Sequence, residues 1–260
     1  MFPAERIDIG AASYPERLAS IASPPATIWV LGTLPPPAAV AIVGSRWPTA
    51  AGREVARAAA AGAVEAGMAV ISGLAAGIDT VAHETVIEGG GRTWAVIGSG
   101  IDVPTPPENR RLADEIVASG GGLIAEVPPG TPVRRPQLIA RDRIQSALAL
   151  CVVVCQCERS SGAMHTAGFA ALQARILAVA RPAAATVQKS WSGNILLSDL
   201  AGCDPALVGA SGEAADLIGS RRPMADIVFE SPEELAGLWE HLLASSRPMP
   251  KPRARRTQAW

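Results

Sequence analysis

The sequence lacks an apolar run of the roughly 20 residues that a membrane-spanning helix needs, because Gly and Pro interrupt its apolar stretches. Its opening residues, MFPAERIDIG, contain an acid and no apolar core, unlike a secretory signal peptide. We therefore expect a cytoplasmic protein with no membrane partner. At 260 residues, 48% of them hydrophobic, the chain is long enough for one large domain with a buried core.

Cysteine is scarce as well, with four residues, of which Cys151, Cys155 and Cys157 lie close together. A metal site would need a second ligand pair at matching spacing, and the sequence has none. Free cysteine is among the most buried residue types, so we interpret these three as part of a buried strand. The sequence thus indicates neither a metal site nor a cofactor.

The body of the chain lacks the positive charge that is typical of a general nucleic-acid binder. The formal net charge is −1, but residues 246–260 carry five of the 23 basic residues and no acid. The remainder therefore holds 18 basic against 24 acidic residues, a net charge near −6. Any polyanion must be bound locally, by backbone N–H groups and a few arginines.

From residue 39 onward, short apolar runs alternate with helical patterns. This alternation predicts an α/β fold, a parallel sheet with helices on both faces. The predicted strands are 40–43, 68–71, 93–97, 123–125, 149–154 and 176–180.

The core is flanked by segments of different character. We predict four parts: a lead-in packed on the core (1–38), the core domain (39–202), an extension with a final helix (203–245) and a basic, disordered tail (246–260).

The lead-in and the extension each contain elements of their own. In the lead-in we expect a short helix after Pro15 and a strand over 27–32. In the extension we interpret 203–225 as loop and 226–229 as a late strand. Ser231, followed by Pro and two acids, predicts the start of the final helix, which we expect to run to about residue 244.

Two glycine turns close the first two strands of the core. The first is Gly44-Ser45-Arg46, and the second is S-G-L-A-A-G-I-D at 72–79. Glycine lets backbone N–H groups approach a phosphate, a helix N-terminus adds positive potential, and arginine offers a fork of donors. The carboxyl ends of parallel strands are where open α/β sheets bind ligands. An ordinary strand–helix turn would look the same, and the G-x-G-x-x-G dinucleotide motif is absent.

A basic segment is the third candidate: Arg134 and Arg135, followed by Arg141 and Arg143 on a predicted helix over 137–148. Residues two apart on a helix diverge by about 200°. Arg141 and Arg143 therefore do not serve one ligand together, and we expect one to face it while the other pairs with an acid.

The fourth candidate is the stretch 158–166, which opens a helix after the fifth core strand and contains Ser161 and Gly162. Free N–H groups and hydroxyls there suit an anion, although a plain helix cap has the same sequence. Asp79 and His83 lie on one helical face, and a structural histidine is the preferred interpretation over a catalytic pair. The sequence contains no convincing catalytic centre.

Taken in order, these motifs resemble those of the DNA-processing protein A family (DprA/Smf). The resemblance covers about residues 13–201 and includes A-I-V-G-S-R at 41–46 and S-G-L-A at 72–75 with G-I-D at 77–79. Its further segments are 14–15, 24–32, 82–83, 91–93, 98–102, 106–110, 128–132, 141–143, 161–167 and 192–194.

The resemblance implies an extended Rossmann-like fold and a pocket over the strand ends that binds single-stranded DNA. It also implies a homodimer that helps to load the strand-exchange recombinase during natural transformation, and no enzymatic activity. The candidate DNA- or phosphate-binding residues are Gly44, Ser45, Arg46, Ser72, Gly73, Gly77, Gly98, Arg141, Arg143, Ser161 and Gly162.

The chain departs from the family pattern within this pocket. Ala76 replaces a usual Lys or Arg, and L-I-A-R-D-R at 138–143 replaces F-P-R-R-N-R. These changes remove two basic residues, one aromatic residue and an amide, and they add a carboxylate. Each lost stacking residue removes about 1–3 kcal/mol per base, so we expect weakened binding of single-stranded DNA.

Two alternatives remain open at this point. The glycine turns beside an acidic body also suit a binder, or a processing enzyme, of nucleotides or other small phosphorylated ligands. A third hypothesis is a scaffold that binds a protein through the final helix and the basic tail. A strand-end hollow plugged by apolar side chains or lined by carboxylates would count against DNA binding.

Overall fold

The computed structural model describes residues 4–181, 188–199, 213–220 and 223–246. In this part of the chain, nine strands form one sheet in the order β1-β2-β6-β5-β4-β3-β7-β8-β9. The strands are Glu5–Asp8 (β1), Thr27–Gly32 (β2), Ala39–Val43 (β3), Ala69–Ser72 (β4), Thr93–Ile97 (β5), Gly122–Ala125 (β6), Cys151–Val154 (β7), Ile176–Ala180 (β8) and Ile227–Phe229 (β9).

Helices cover both faces of the sheet, which confirms the predicted α/β architecture. Val40 and Ile42 of β3 pack with α2, α3 and α9, whereas Ala41 and Val43 pack with α6. The helices are Glu16–Ala19 (α1), Ala50–Glu65 (α2), Ile78–Glu88 (α3), Arg110–Ala118 (α4), Arg135–Leu148 (α5), Ala163–Leu172 (α6), Ser192–Ser198 (α7), Glu213–Ser220 (α8) and Ala236–Ser246 (α9).

The lead-in is part of the sheet rather than a layer upon it. The pairs from β6 through β9 are parallel, but β2 pairs antiparallel with β6, and β1 pairs antiparallel with β2. The strand predicted over 27–32 is confirmed as β2. The sequence analysis missed β1, because this edge strand buries only Ile7 and carries no apolar run.

The extension (203–245) agrees with the prediction in its C-terminal part and differs from it in its N-terminal part. The late strand is confirmed as β9, and the predicted cap is confirmed, since Ser231 and Glu234 form a capping box. The interpretation of 203–225 as loop is wrong over Glu213–Ser220, which is helical. The predicted disordered tail beyond Ser246 lies outside the described residues.

The direction in which successive strands are added to the sheet reverses between β3 and β7. From β3 the chain runs through β4, β5 and β6 on one side of the sheet, and it then returns to place β7 on the other side of β3. This reversal is a topological switch point, and open α/β sheets bind ligands in the crevice outside the carboxyl ends of the strands at such a point. Ligand binding is therefore expected above Val43 and Val154.

The structure bears on two expectations drawn from composition, the burial of the cysteines and the lack of a membrane-spanning helix. The described cysteines, at 151, 155 and 157, are buried as predicted, and burial raises the pKa of the Cys157 thiol to about 12. In the described part of the chain, no helix combines the length and the hydrophobicity that a membrane span requires.

Candidate functional site

A cavity of about 590 Å³ opens at the switch point. Four segments line it: the loop after β3, the loop after β4 with the start of α3, the loop after β7 with the start of α6, and α5 with the residues before it. Loops that are far apart in the sequence therefore meet at one site, as the strand-end argument predicts. The predicted site residues in its lining are Gly44, Ser45, Arg46, Arg141, Ser161 and Gly162.

Three glycines of the predicted set lie beside or beneath the cavity rather than in its lining. A Cβ at Gly73 would overlap the guanidinium of Arg141, so only glycine leaves room for that side chain. Gly77 has φ +86°, which favours glycine, and it packs against the backbone carbonyl of Ser45. Gly98 lies under the start of α5, against Leu138. These glycines shape the site, and their predicted contact with DNA stays a prediction.

Ser72 and Arg143 are also outside the cavity lining. The Ser72 hydroxyl is buried and donates to the Ile42 carbonyl at 2.7 Å. Arg143 makes a bidentate pair with Glu126, at 2.6 and 2.8 Å, and its Nε donates to the Ser23 carbonyl. Arg143 therefore ties α5 to the end of β6 and to the lead-in. The pairing of Arg143 with an acid is as predicted for one of the two arginines, but Arg141 is paired with an acid as well, so the predicted contrast between them is not found.

The rim of the cavity is basic. Arg46, Arg134 and Arg135 line it, and all three are exposed. None of them forms an ion pair with an acid of the described ranges. We call these three residues the rim arginines. Their guanidinium groups are available to phosphates, which they match in geometry.

The floor of the cavity is a buried charge cluster. The Nε atom of Arg141 lies 3.2 Å from Asp142, and its Nη2 atom lies 4.0 Å from Asp79. The Nη1 atom of Arg141 donates to the Val96 carbonyl at 3.0 Å and to Oε1 of Gln145 at 2.9 Å. The positive charge of Arg141 is thus committed inside the protein.

Burial raises the pKa values of the two carboxyl groups on the floor. Desolvation raises the pKa of Asp142 to about 7, although the neighbouring Arg141 opposes this shift. Desolvation likewise raises the pKa of Asp79, against Arg141 and the N–H groups of Gly73 and Ala75. Carboxylates do line part of the hollow, contrary to what DNA binding on the floor would require. A phosphate is therefore expected at the rim and not at the floor.

One donor on the floor has no partner among the described residues. Gln145 is buried, and its Nε2 atom makes no hydrogen bond, although its Oε1 atom accepts from Arg141. Since buried polar groups are almost always hydrogen-bonded, this amide suits an acceptor atom of a ligand in the cavity.

The N-terminus of α2, where the sequence predicts phosphate binding, has one of its N–H groups capped from within the protein. The Thr49 hydroxyl accepts from the N–H of Gly52 at 3.2 Å, and the Thr49 N–H donates to Oε1 of the buried Gln156 at 2.8 Å. This double anchor fixes the loop that carries Arg46. Phosphate binding at this helix end stays a prediction.

Asp79 and His83 do not form a catalytic pair. His83 is buried and does not line the cavity. Its Nδ1 atom lies 2.7 Å from the Thr93 hydroxyl, which donates to the Val70 carbonyl, so Nδ1 is the protonated nitrogen. Burial lowers the pKa of His83 to about 3, which keeps the ring neutral. The preferred structural interpretation of this histidine fits these contacts.

Comparison with known proteins identifies the family. The profile of the family described as DNA recombination-mediator protein A matches residues 5–204. This chain belongs to that family. A family relative, Protein Smf of Synechocystis sp., is 39% identical over 163 residues, which are 60% of this chain and 41% of the relative. The chain spans about half the length of the curated relatives it matches.

Two solved structures of the family have the same fold. DNA processing protein A from Streptococcus pneumoniae has a TM-score of 0.69 at 27% identity, covering 91% of this chain and 74% of that one. The protein from Helicobacter pylori, described for its single-stranded DNA binding mode, has a TM-score of 0.71 at 21% identity, covering 94% and 97%. An extended Rossmann-like fold is therefore shown for this family member.

Two of the departures from the family pattern lie in the cavity lining, whereas Ala76 and Ala140 lie outside it. Leu138 and Asp142 both line the cavity, at positions where the resemblance leads one to expect an aromatic ring and an amide. Arg134 and Arg135 belong to the third candidate segment of the sequence but were not among the candidate binding residues. Arg134 is the N-cap of α5 and Arg135 its first residue, and only the fold places this helix start against the loops that follow β3 and β7.

Proposed function

We propose that this family member is a single-stranded DNA-binding protein that binds rather than transforms its ligand. The observation that carries the proposal is the set of rim arginines, three exposed cations around one cavity at the switch point that pair with no acid of the described ranges. Side chains of this kind bind the phosphates of a nucleic-acid backbone without regard to sequence.

The charge distribution supports a rim-bound strand. The body of the chain has a net charge near −6, and the floor holds two carboxyl groups against one guanidinium. A strand at the rim meets the rim arginines and one further lining carboxylate, Glu158, which lies 3.7 Å from Lys189. A strand that entered the floor would meet Asp79 and Asp142. The binding surface is therefore local and its affinity modest.

The cellular setting belongs to the same proposal. We propose that the protein acts as a cytoplasmic homodimer in DNA uptake and recombination, and that it assists the loading of a strand-exchange recombinase. Membership of the recombination-mediator family supports this setting, and so does similarity to relatives such as the DNA processing protein DprA of Bacillus subtilis.

A direct titration tests DNA binding. Labelled oligo-dT is titrated with the wild type, with Arg46→Ala and with a control, Arg111→Ala. Arg111 is an exposed arginine of α4 that lies outside the cavity lining. The proposal expects Arg46→Ala to weaken binding and Arg111→Ala to leave it unchanged. Equal binding by all three, or no binding by any, contradicts it.

A second function is favoured by the floor of the cavity. The unsatisfied amide of Gln145 and a volume of about 590 Å³ suit a nucleotide or another small phosphorylated ligand. Thermal-shift measurements with a panel of nucleotides test this candidate. A shift that Gln145→Leu abolishes supports it, and the absence of any shift removes it.

A further inference from the structure

The exposure of the Trp47 side chain is unusual for a residue with a structural role. Its side chain is 87% exposed, whereas Trp94, Trp191 and Trp239 are buried. In the described ranges, the other exposed large hydrophobic side chain is Ile9, at 44%. An indole ring left in water gives up the large stabilisation that its burial would contribute.

The Trp47 side chain lines the cavity, and the backbone around it is anchored by hydrogen bonds. Trp47 lines the cavity beside Arg46. Its backbone N–H donates to the Ser45 hydroxyl at 3.0 Å, and two residues later Thr49 is anchored by Gln156. The backbone on both sides of the ring is therefore fixed, so binding through the ring orders little additional chain.

The rim thus combines an exposed aromatic face with unpaired cations. A groove that binds single strands has this pairing, since arginines follow the phosphates while aromatic rings accept bases on their faces. Double-stranded nucleic acid does not suit the ring, because its bases are already stacked. A free phosphate or a phosphoprotein would use the arginines and leave the indole uncovered.

We propose that Trp47 is a base-stacking platform on which one unpaired nucleobase lies while the rim arginines hold the adjoining phosphates. This inference rests on the proposed function and narrows the ligand to one that carries unpaired bases. Stacking is tolerant of sequence, because every base has a flat face.

Two probes separate stacking from phosphate binding: labelled oligo-dT and an abasic oligomer of the same length. The full chain is compared with Trp47→Ala, with Trp47→Phe, which keeps a ring, and with the control Ile9→Ala. We expect Trp47→Ala to weaken oligo-dT binding about tenfold, the ratio that corresponds to about 1.4 kcal/mol. Abasic binding is expected to stay within about twofold of the wild type, since each phosphate contact remains. Trp47→Phe is expected to retain most of the affinity.

Indole fluorescence provides an independent readout. Oligo-dT should quench part of the wild-type emission, and Trp47→Phe should bind while losing that quenching. The stacking role is overturned if Trp47→Ala binds oligo-dT like the wild type, or if it weakens oligo-dT and the abasic oligomer alike. It is also overturned if Trp47→Ala changes the oligomeric state, since a second copy would then cover the ring. A wild type that binds neither probe rejects the proposed function itself, an outcome distinct from these.

Discussion

The arginines near the cavity fall into two groups with opposite surroundings. Arg141 and Arg143, on α5, are engaged by Asp142, Asp79 and Glu126. The rim arginines are exposed and form no ion pair with an acid of the described ranges, although the charge of Arg46 acts from a distance to lower the pKa of Asp142. The comparison teaches that an arginine within a family motif supplies a binding charge only where the fold leaves that charge unpaired. Arg141 and Arg143 should therefore matter for stability and the rim arginines for binding.

The largest effect on stability should follow the removal of Arg141. Arg141→Ala leaves the buried carboxylates of Asp79 and Asp142 without their cation, which typically costs about 3–5 kcal/mol of unfolding free energy. Chemical denaturation at pH 8 measures this loss. At low pH both carboxyls are protonated, so the loss should shrink. An equal loss at both pH values would contradict the charge cluster as its cause.

Asp142 should give the stability a pH dependence. Its pKa is about 7 in the folded protein, raised by burial from 3.8. The folded state therefore holds a proton that the unfolded chain has released. Between about pH 4 and pH 7, this group should lower the unfolding free energy by up to about 1.4 kcal/mol per pH unit as the pH rises.

Asp142→Asn tests that slope. The variant has no proton to lose at this position, so its stability should fall less steeply over the same window and should exceed that of the wild type at pH 8. The remaining slope reports Asp79, whose pKa is raised in the same direction. Denaturation curves across the window measure both. Parallel wild-type and variant profiles would contradict the assignment.

Arg143 should have an intermediate effect. Arg143→Gln removes a bidentate pair with Glu126 that is partly exposed, and it should cost about 1–3 kcal/mol of unfolding free energy. A double-mutant cycle with Glu126→Gln isolates the pair. If the two single losses simply add, the residues do not interact, and the structural role assigned to Arg143 is wrong.

The rim arginines should show the smallest effect on stability. Replacing Arg46, Arg134 and Arg135 together by Ala removes exposed, unpaired side chains, so each change should stay within about 0.5 kcal/mol. Melting curves of the triple variant and the wild type should nearly coincide. A large loss would mean that these side chains hold the loops together, which would remove the contrast with α5.

Much of the fold could be predicted because the buried strands carry apolar runs. The strands β3 to β8 are such runs, the first three of them end at glycine turns, and the resemblance covered the same segment. The polar edge strand β1 was not predicted because it carries no apolar run. The helix α8 was not predicted although its eight residues include apolar side chains.

The site was predictable only in part, because the sequence does not show which distant side chains form hydrogen bonds or ion pairs with one another. The glycine turns and Arg46 were found from local chemistry. The pairing of Arg143 with Glu126 joins residues 17 apart, and the anchor between Thr49 and Gln156 spans 107. Neither pair is marked by spacing. The exposed ring of Trp47 was likewise invisible, since the sequence does not report burial.

The salt dependence of oligo-dT binding tests the central claim most directly. It is measured for the wild type, for the triple rim variant and for Arg143→Gln. Each phosphate contact on a single strand contributes about 0.7 to the slope of log affinity against log salt. Loss of the three rim arginines should therefore lower the slope by about 2, and Arg143→Gln should leave it unchanged. A slope that falls with Arg143→Gln and not with the rim variant would contradict the account.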